Sequence, residues 1–317
     1  MSRELVSVVV PVYFNAESLP RLAERLKAVA AHADFDVELI LVDDGSGDSS
    51  WSRITEIAAS WPCARGLRLT RNFGSQMAIT AGLKEAKGEA AAVLSADLQE
   101  PPELLPEMMA AWRKGANAVL AVRRSRPEGW TTRAAAGIYY RLLRRLALSQ
   151  MPTSGFDCFL VGRPAIDFLV GSREIHTSLP GLLLWGGFPT AIVPYDRVAR
   201  DEGRSRWTLA KKLKYFLDAI ISFSYAPLRW MSVAGALLAI LAFAYAVFLI
   251  LYKIVHGQPI QGWTSMMVAL AFFSGVQLLS LGILGEYLWR TLDAARARKG
   301  FLVRERTEVA AGKDPRS

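Results

Sequence analysis

Between Val93 and Leu105 the chain reads VLSADLQEPPELL: an apolar run closes on Asp97, Gln99 and Glu100, directly ahead of two prolines. Oxygen-bearing side chains at the end of an apolar strand suit a hard divalent cation. Mg2+ takes few protein oxygens and fills its other positions with substrate phosphates and water. Asp97 and Gln99 alternate along an extended chain, which brings their oxygens near one another, and the pattern predicts a metal-diphosphate site. A helix-capping aspartate ahead of Pro-Pro-Glu is the alternative. Ser95 stands where a second carboxylate would complete an Asp-x-Asp pair, so cation binding without a bound diphosphate is expected to be weak.

A second polar cluster, VDDGSGDSSW, closes another apolar run. Asp43 and Asp44 there can accept hydrogen bonds from a ribose or a base, while an Asp-Gly turn is equally a structural device. Gly45 and Gly47 have no third glycine in register, and no Gly-Lys-Ser/Thr ending follows. Neither a dinucleotide fingerprint nor a phosphate-binding loop is present.

The elements that must position these groups can be read from periodicity. LVSVVVPV, DVELILVDD, GLRLT, EAAAVLSAD and ANAVLAVR are short β-rich runs, separated by segments of helical period such as ESLPRLAERLKAVAAH and PPELLPEMMAAWRKG. In the second helical segment Leu104, Leu105, Met108, Met109 and Trp112 share one face. The alternation predicts a largely parallel, doubly wound α/β sheet. Ligands of such sheets bind beyond the carboxyl ends of the strands, so VPVY, VDDGS and SADLQEPPE should converge on one cleft.

The remaining third of the chain differs in kind. No residue from Met231 to Tyr252 or from Gly257 to Gly285 is charged, and each stretch reaches the roughly 20 residues that a helix needs to span a bilayer core. Lys211, Lys212, Lys214 and Arg229 precede the first stretch; Arg290, Arg296, Arg298, Lys299, Arg304 and Arg306 follow the second. That bias predicts two transmembrane helices with both chain ends in the cytoplasm. RWTLAKKLKYFLDAIISFSYAPL mixes apolar and lysine residues as a helix at the headgroup level does. Most of the net charge of +9 therefore tracks a membrane boundary and does not indicate nucleic acid. Cys63 and Cys158 form no C-x-x-C pattern, which argues against a disulfide framework or thiolate zinc site. The opening MSRELVSVVVPVYF reads as a first strand, not a secretory signal.

VPVYFNAESL, LVDDGS, TRNFGSQMAITAGL, ADLQEPPELLPEM, GFDCFLVGR and SFSYAPLR, in that order and followed by two apolar spans ending in GEYLWR, resemble the family 2 glycosyltransferases that make polyprenyl-phosphate sugars. Dolichyl-phosphate mannose synthase and the bacterial undecaprenyl-phosphate glucosyltransferases belong to that group. The resemblance covers nearly the whole chain. It implies a cytosolic GT-A (Rossmann-like) domain over 1–206, an interfacial amphipathic region over 207–229, a two-helix transmembrane hairpin over 230–290 and a cytosolic tail over 291–317. It also implies a multi-pass protein of the bacterial inner membrane that transfers a sugar, with inversion, from a nucleotide sugar to polyprenyl phosphate. UDP-hexose is the favoured donor and GDP-mannose the other candidate.

By the same resemblance Pro11, Tyr13, Glu17, Asp43 and Asp44 hold the nucleotide sugar, and Asp97 with Gln99 holds Mg2+ or Mn2+. Asp97 and Asp157 are the catalytic candidates. Arg123, Arg133, Arg200, Ser205 and Arg206 are expected at the lipid phosphate or the diphosphate. Ala16 and Ser95 depart from the family pattern by lacking a carboxylate. Partners are then a nucleotide sugar, a polyprenyl phosphate lipid and the membrane, with a homo-oligomer allowed. Two competing readings stand beside this one: a scaffold of the same fold impaired by Ser95, and a processive polysaccharide synthase. The second is disfavoured because Ala226 occupies the glutamine position of a Q-x-x-R-W motif and only two spans follow.

Overall fold

The computed structural model describes residues 3–124, 137, 141, 143–145, 148, 150–153, 155–156, 158–172, 174, 178–196, 221–224, 226–256 and 262–307. The chain forms two units: Met1–Ala219 with Lys299–Ser317, and Ile220–Arg298.

In the first unit the strands among the described residues are β1 (Leu5–Val12), β2 (Asp36–Asp43), β3 (Ala64–Leu69), β4 (Ala90–Val93), β5 (Ala118–Arg123), β6 (Cys158–Gly162), β7 (Thr190–Tyr195) and β8 (Val303–Arg306). They make one sheet in the order β7-β5-β6-β4-β1-β2-β3-β8. The helices with bounds among the described residues include α1 (Leu19–His32), α2 (Ser50–Ser60), α3 (Ser75–Glu85), α4 (Leu105–Arg113), α5 (Arg163–Gly171) and α6 (Leu179–Trp185). β1 is central and buried on both faces, which is why LVSVVVPV is almost continuously apolar instead of alternating.

α1 buries Leu19, Leu22, Ala23, Leu26 and Val29, one stripe of helical spacing, in the same core as Leu39 and Leu41 of β2. Leu22 is fully buried, so Leu22→Ala costs about 2–5 kcal/mol. α3 packs closely on β1 and β2: a Cβ at Gly82 would collide with Val9 and crowd Val42. The segment from Pro101 onward, expected as one helix, splits into a 3-10 turn at Pro102–Leu104 and α4.

The sheet is mixed, where the alternation of runs predicted a largely parallel one. β1 is parallel to β2 and β4, β2 to β3, and β5 to β7. β6 enters reversed between β4 and β5 and is antiparallel to both. Two reversals leave β5 running with β4, so the carboxyl ends of β1, β2, β4, β5 and β7 share one sheet edge with the start of β6. The other antiparallel strand, β8, pairs with β3 and comes from the segment expected as a plain tail.

The second unit contains α7 (Ala226–His256) and α8 (Trp263–Arg296). Leu228–Val255 and Ser265–Arg296 have mean hydropathies of 2.6 and 2.1 and are long and apolar enough to cross a membrane. Their large side chains face outward, with Phe243 73% and Leu278 68% exposed. Surfaces of that kind suit lipid, not water. Arg290 donates to Ser222 Oγ at 3.0 Å, and the Tyr287 hydroxyl donates to the Ser224 carbonyl at 3.0 Å.

Candidate active site

Three polar strand ends lie side by side. Val12 is in register with Asp43 across β1 and β2, and Val9 with Val93 across β1 and β4. β2 and β4 are two strand spacings apart across the sheet, about 10 Å, and β4 ends three residues earlier than β2 along β1.

Beyond β1, Tyr13 and Phe14 stand edge to face, 4.7 Å between centroids, and both are partly exposed. Phe14 has φ 56°, uncommon for a bulky residue. Three bonds hold this turn: Tyr13 N–H donates to Asn15 Oδ1, Phe14 N–H to Ser46 Oγ and Asn15 N–H to Ser50 Oγ, each at 3.1 Å. Hydroxyls from the β2–α2 segment thus pin the β1–α1 turn. Pro11 is half-buried, in register with Val42, and Glu17 is exposed at the start of α1.

Asp43 and Asp44, adjacent in sequence, do different work. Asp43 is fully buried; its Oδ1 accepts the Ser46 N–H at 3.0 Å, and its Oδ2 lies 3.4 Å from Arg68 Nε. That Oδ2 has no hydrogen-bond partner among the described residues. Burial pushes the Asp43 carboxyl above its usual range, opposed by Ser46 and then by Arg68. Asp44 turns to the β3–α3 loop, where Oδ1 accepts the Phe73 N–H at 2.7 Å and Oδ2 the Gly74 N–H at 2.9 Å. Burial raises its carboxyl to about 6 against those two donors. Gly45, at φ 69°, lets the Arg71–Asn72 backbone approach, since a Cβ there would lie 2.6 Å from the Arg71 carbonyl carbon. Asp44 is accordingly the anchor of the loop that opens α3.

At the third strand end, β4 closes at Val93, and the chain does not remain extended as the alternation of Asp97 and Gln99 suggested. Leu98 has φ 59°, and Gln99 N–H turns back to Asp97 Oδ1 at 3.3 Å. Burial still alternates: Ala96, Leu98 and Glu100 are buried, whereas Ser95, Asp97 and Gln99 are half-exposed. The side chain of Leu98 is seated in the core, which holds the turn with Asp97 and Gln99 on its open side. Neither Pro101 nor Leu104, the residues before the 3-10 turn and α4, gives a side-chain cap.

Ser95 Oγ donates to Asp97 Oδ1 at 2.7 Å and is in close contact with Glu100 Oε2. One hydroxyl proton serves only one carboxylate at a time. The Tyr195 hydroxyl, at the end of β7, reaches Glu100 Oε1 at 3.4 Å. A second carboxylate is thus present near Asp97, supplied by Glu100 from behind Ser95. No group of three or more His, Cys, Asp or Glu that could hold a metal ion by itself is found among the described residues. The donor set of Asp97 and Gln99, hard oxygens few in number, fits a cation that retains water and substrate phosphate oxygens.

Arg123 closes β5 at the same edge, half-buried and in register with Tyr195. Asp157, Arg133, Arg200, Ser205 and Arg206 lie outside the described residues; Cys158, next to Asp157, opens β6 at this edge. Sequence reasoning assigned no role to Asn15, Ser46 or Ser50, to Glu100 and Tyr195, or to Arg68. Only Glu100, conspicuous in the LQEPPE run, carried a local signal.

A mixed α/β sheet that gathers carboxylates and an amide at the ends of adjacent parallel strands, in a chain that also carries a long apolar helix pair, is the make-up of a GT-A glycosyltransferase with a membrane unit. The model of glycosyl transferase family 2 matches residues 7–169, and the chain belongs to that family and is a glycosyltransferase. It is 38% identical to "Uncharacterized glycosyltransferase YkcC" of Bacillus subtilis, over 96% of this chain and 95% of that one. It is 33% identical to the bactoprenol glucosyl transferase of Shigella phage SfX, over 95% and 99%. Among solved structures, glucosyl-3-phosphoglycerate synthase from Mycobacterium tuberculosis is a distant likeness, 18% identical over 69% of this chain and 76% of that one, with a TM-score of 0.48.

Proposed function

We propose that the protein transfers a hexose from a UDP-sugar, with inversion, to the phosphate of a polyprenyl carrier such as undecaprenyl phosphate at the cytosolic face of the bacterial inner membrane. The observation that carries this reading is the extent of similarity to the bactoprenol glucosyl transferase, which runs through both units of the chain. Two apolar helices suit a lipid acceptor, and the strand-end carboxylates suit a nucleotide donor.

The chemistry asks little of a base. A phosphomonoester is already largely dianionic near neutral pH, so its oxygen can attack the anomeric carbon without losing a proton first. The new bond joins that carbon to the lipid phosphate oxygen as the bond to the nucleoside diphosphate breaks, the diphosphate leaving with the electron pair. Asp157 then orients the acceptor or sugar and is not required as a strong base. Asp43 receives a base N–H on Oδ2, with Pro11, Tyr13 and Glu17 lining the nucleoside end. Asp97 and Gln99 would hold Mg2+ or Mn2+, whose chemistry is to neutralise the leaving diphosphate. Arg123 and Arg133, with Arg200, Ser205 and Arg206, hold phosphate oxygens by charge-assisted bonds.

The test offers purified protein and undecaprenyl phosphate a panel of UDP- and GDP-sugars and weighs the lipid product. One hexose added from UDP-glucose is expected. Successive additions to one lipid, or no lipid product from any donor, would refute the reading.

A further inference from the structure

Three residues far apart in sequence form one row across the sheet. Asp43 closes β2, Arg68 is its register partner on β3, and Glu305 is the register partner of Arg68 on β8. Charge alternates along the row, and directly opposed side chains on neighbouring strands interact. Arg68 Nε lies 3.4 Å from Asp43 Oδ2, and Arg68 Nη1 lies 3.4 Å from Glu305 Oε1. The guanidinium also sits 5.7 Å from the Trp51 ring centroid, which restricts it further. Glu305 is steadied in turn by Arg304 Nε at 3.0 Å.

The inner end of the row is the buried Asp43 Oδ2 of the candidate nucleotide site. Asp43 Oδ1 is committed to the Ser46 N–H, whereas Oδ2 is buried and has no hydrogen-bond partner among the described residues. A buried acceptor in that condition calls for a donor. Arg68 does not complete a hydrogen bond to it, so it acts by charge, without consuming the acceptor that a base N–H needs.

We propose that Arg68 is a positioning residue for the nucleotide, and that β8, the strand entered after the second apolar helix, belongs to the nucleotide site: Glu305 holds Arg68, and Arg68 holds the Asp43 carboxylate toward the base. The inference rests on the reading that Asp43 receives the donor base. It gives the segment after α8 a part in donor recognition.

The experiment is calorimetric titration of the full-length protein in detergent with UDP and with N3-methyl-UDP, which lacks the imide donor. Wild type should prefer UDP. Arg68→Ala should weaken UDP binding about tenfold and Glu305→Gln about threefold, the larger effect falling on the partner of the buried charge. N3-methyl-UDP affinity should hardly move in either variant, so the preference narrows, and Arg68→Lys should restore part of it. Equal weakening toward both ligands would show a merely structural role and overturn the proposal. Asp43→Ala separates the two readings. If it keeps the preference for UDP, or if wild type binds no UDP, the assignment of Asp43 to the base fails and the row fails with it. If it loses the preference while Arg68→Ala and Glu305→Gln keep theirs, the base assignment stands and the role of Arg68 is wrong.

Discussion

Replacing Asp44 by asparagine should change how stability depends on pH more than it changes stability at any single pH. The Asp44 carboxylate is buried and accepts two backbone N–H groups, from Phe73 and Gly74. Burial nevertheless lifts its pKa from 3.8 to about 6. A carboxyl raised on folding favours the protonated native state, so its contribution to stability is fully present below about 3.8 and is lost as pH climbs through about 6. At about 1.4 kcal/mol per tenfold change in ionisation constant, the full contribution is about 3 kcal/mol, of which about 2 kcal/mol falls between pH 7.5 and 4.5. Asparagine has no such titration and offers one acceptor oxygen to two N–H groups, with a loss of about 1–3 kcal/mol. At pH 7.5 that loss is offset by removing a buried charge; at pH 4.5 it stands alone. Asp44→Asn should therefore melt close to wild type at pH 7.5 and fall below it by a further 4–8 °C or so at pH 4.5. Thermal melts of the detergent-solubilised protein at four pH values across that range are the assay. A constant offset between the two proteins at every pH would refute the reasoning.

Other expectations follow from the same geometry. Ser95→Asp should tighten Mg2+ binding in the absence of nucleotide by about threefold or more, and should lower the melting temperature without metal, since a third carboxylate beside Asp97 and Glu100 repels both; metal titration and melts check it. Asp97→Asn should lose nearly all turnover, and full activity in that variant would exclude a metal site at this strand end. Arg123→Ala should raise the KM for lipid phosphate about tenfold while UDP binding, measured by calorimetry, stays unchanged. Reporter fusions at Ser317 and between His256 and Trp263 should report opposite sides of the membrane, and the same side for both would end the two-crossing topology.

What could be read in the sequence was what the local pattern determines. The LVSVVVPV strand has the expected bounds, and the apolar stripe of α1 is the one its spacing gives. Placing ligands beyond strand ends also brought VPVY, VDDGS and SADLQEPPE to three adjacent parallel strands in the order β4-β1-β2. Asp97 and Gln99 show where local pattern stops: burial alternates as expected, but the backbone turns at Leu98, because a side-chain-to-backbone bond from Gln99 N–H to Asp97 competes with extension. The reversal of β6 leaves no trace in CFLVG, since a fully apolar strand reads the same in either direction. Arg68 and Glu305 were invisible as partners, being 237 residues apart, and strand partnership at that distance is set by the whole sheet. VRER alone, four residues with three charges, has the composition of a solvated tail. It forms an edge strand because β3 presents an unpaired row of backbone groups and the alternating side chains offer Arg68 a counter-charge.

That edge strand also constrains how the chain can meet a membrane. β8 is in the same sheet as β3, so the backbone that leaves the sheet region before α7 has returned to it by Val303. A chain that leaves one side of a bilayer and comes back to it crosses an even number of times. α7 and α8 therefore cross together or not at all; a single crossing would leave Val303–Arg306 unable to reach β3. Their outward-facing apolar surfaces argue for crossing, since in water both helices would expose large side chains along their whole length. The basic residues flanking the outer ends of the pair are those expected of a pair with both ends on one side, and they bear on the question by an independent route, because charge bias depends on insertion and strand pairing on folding. Cutting the chain after Lys299 tests the two routes separately. The charge bias would survive, whereas β3 would become an exposed edge, so a truncated protein that inserts normally but aggregates or loses UDP affinity is the outcome that strand pairing requires.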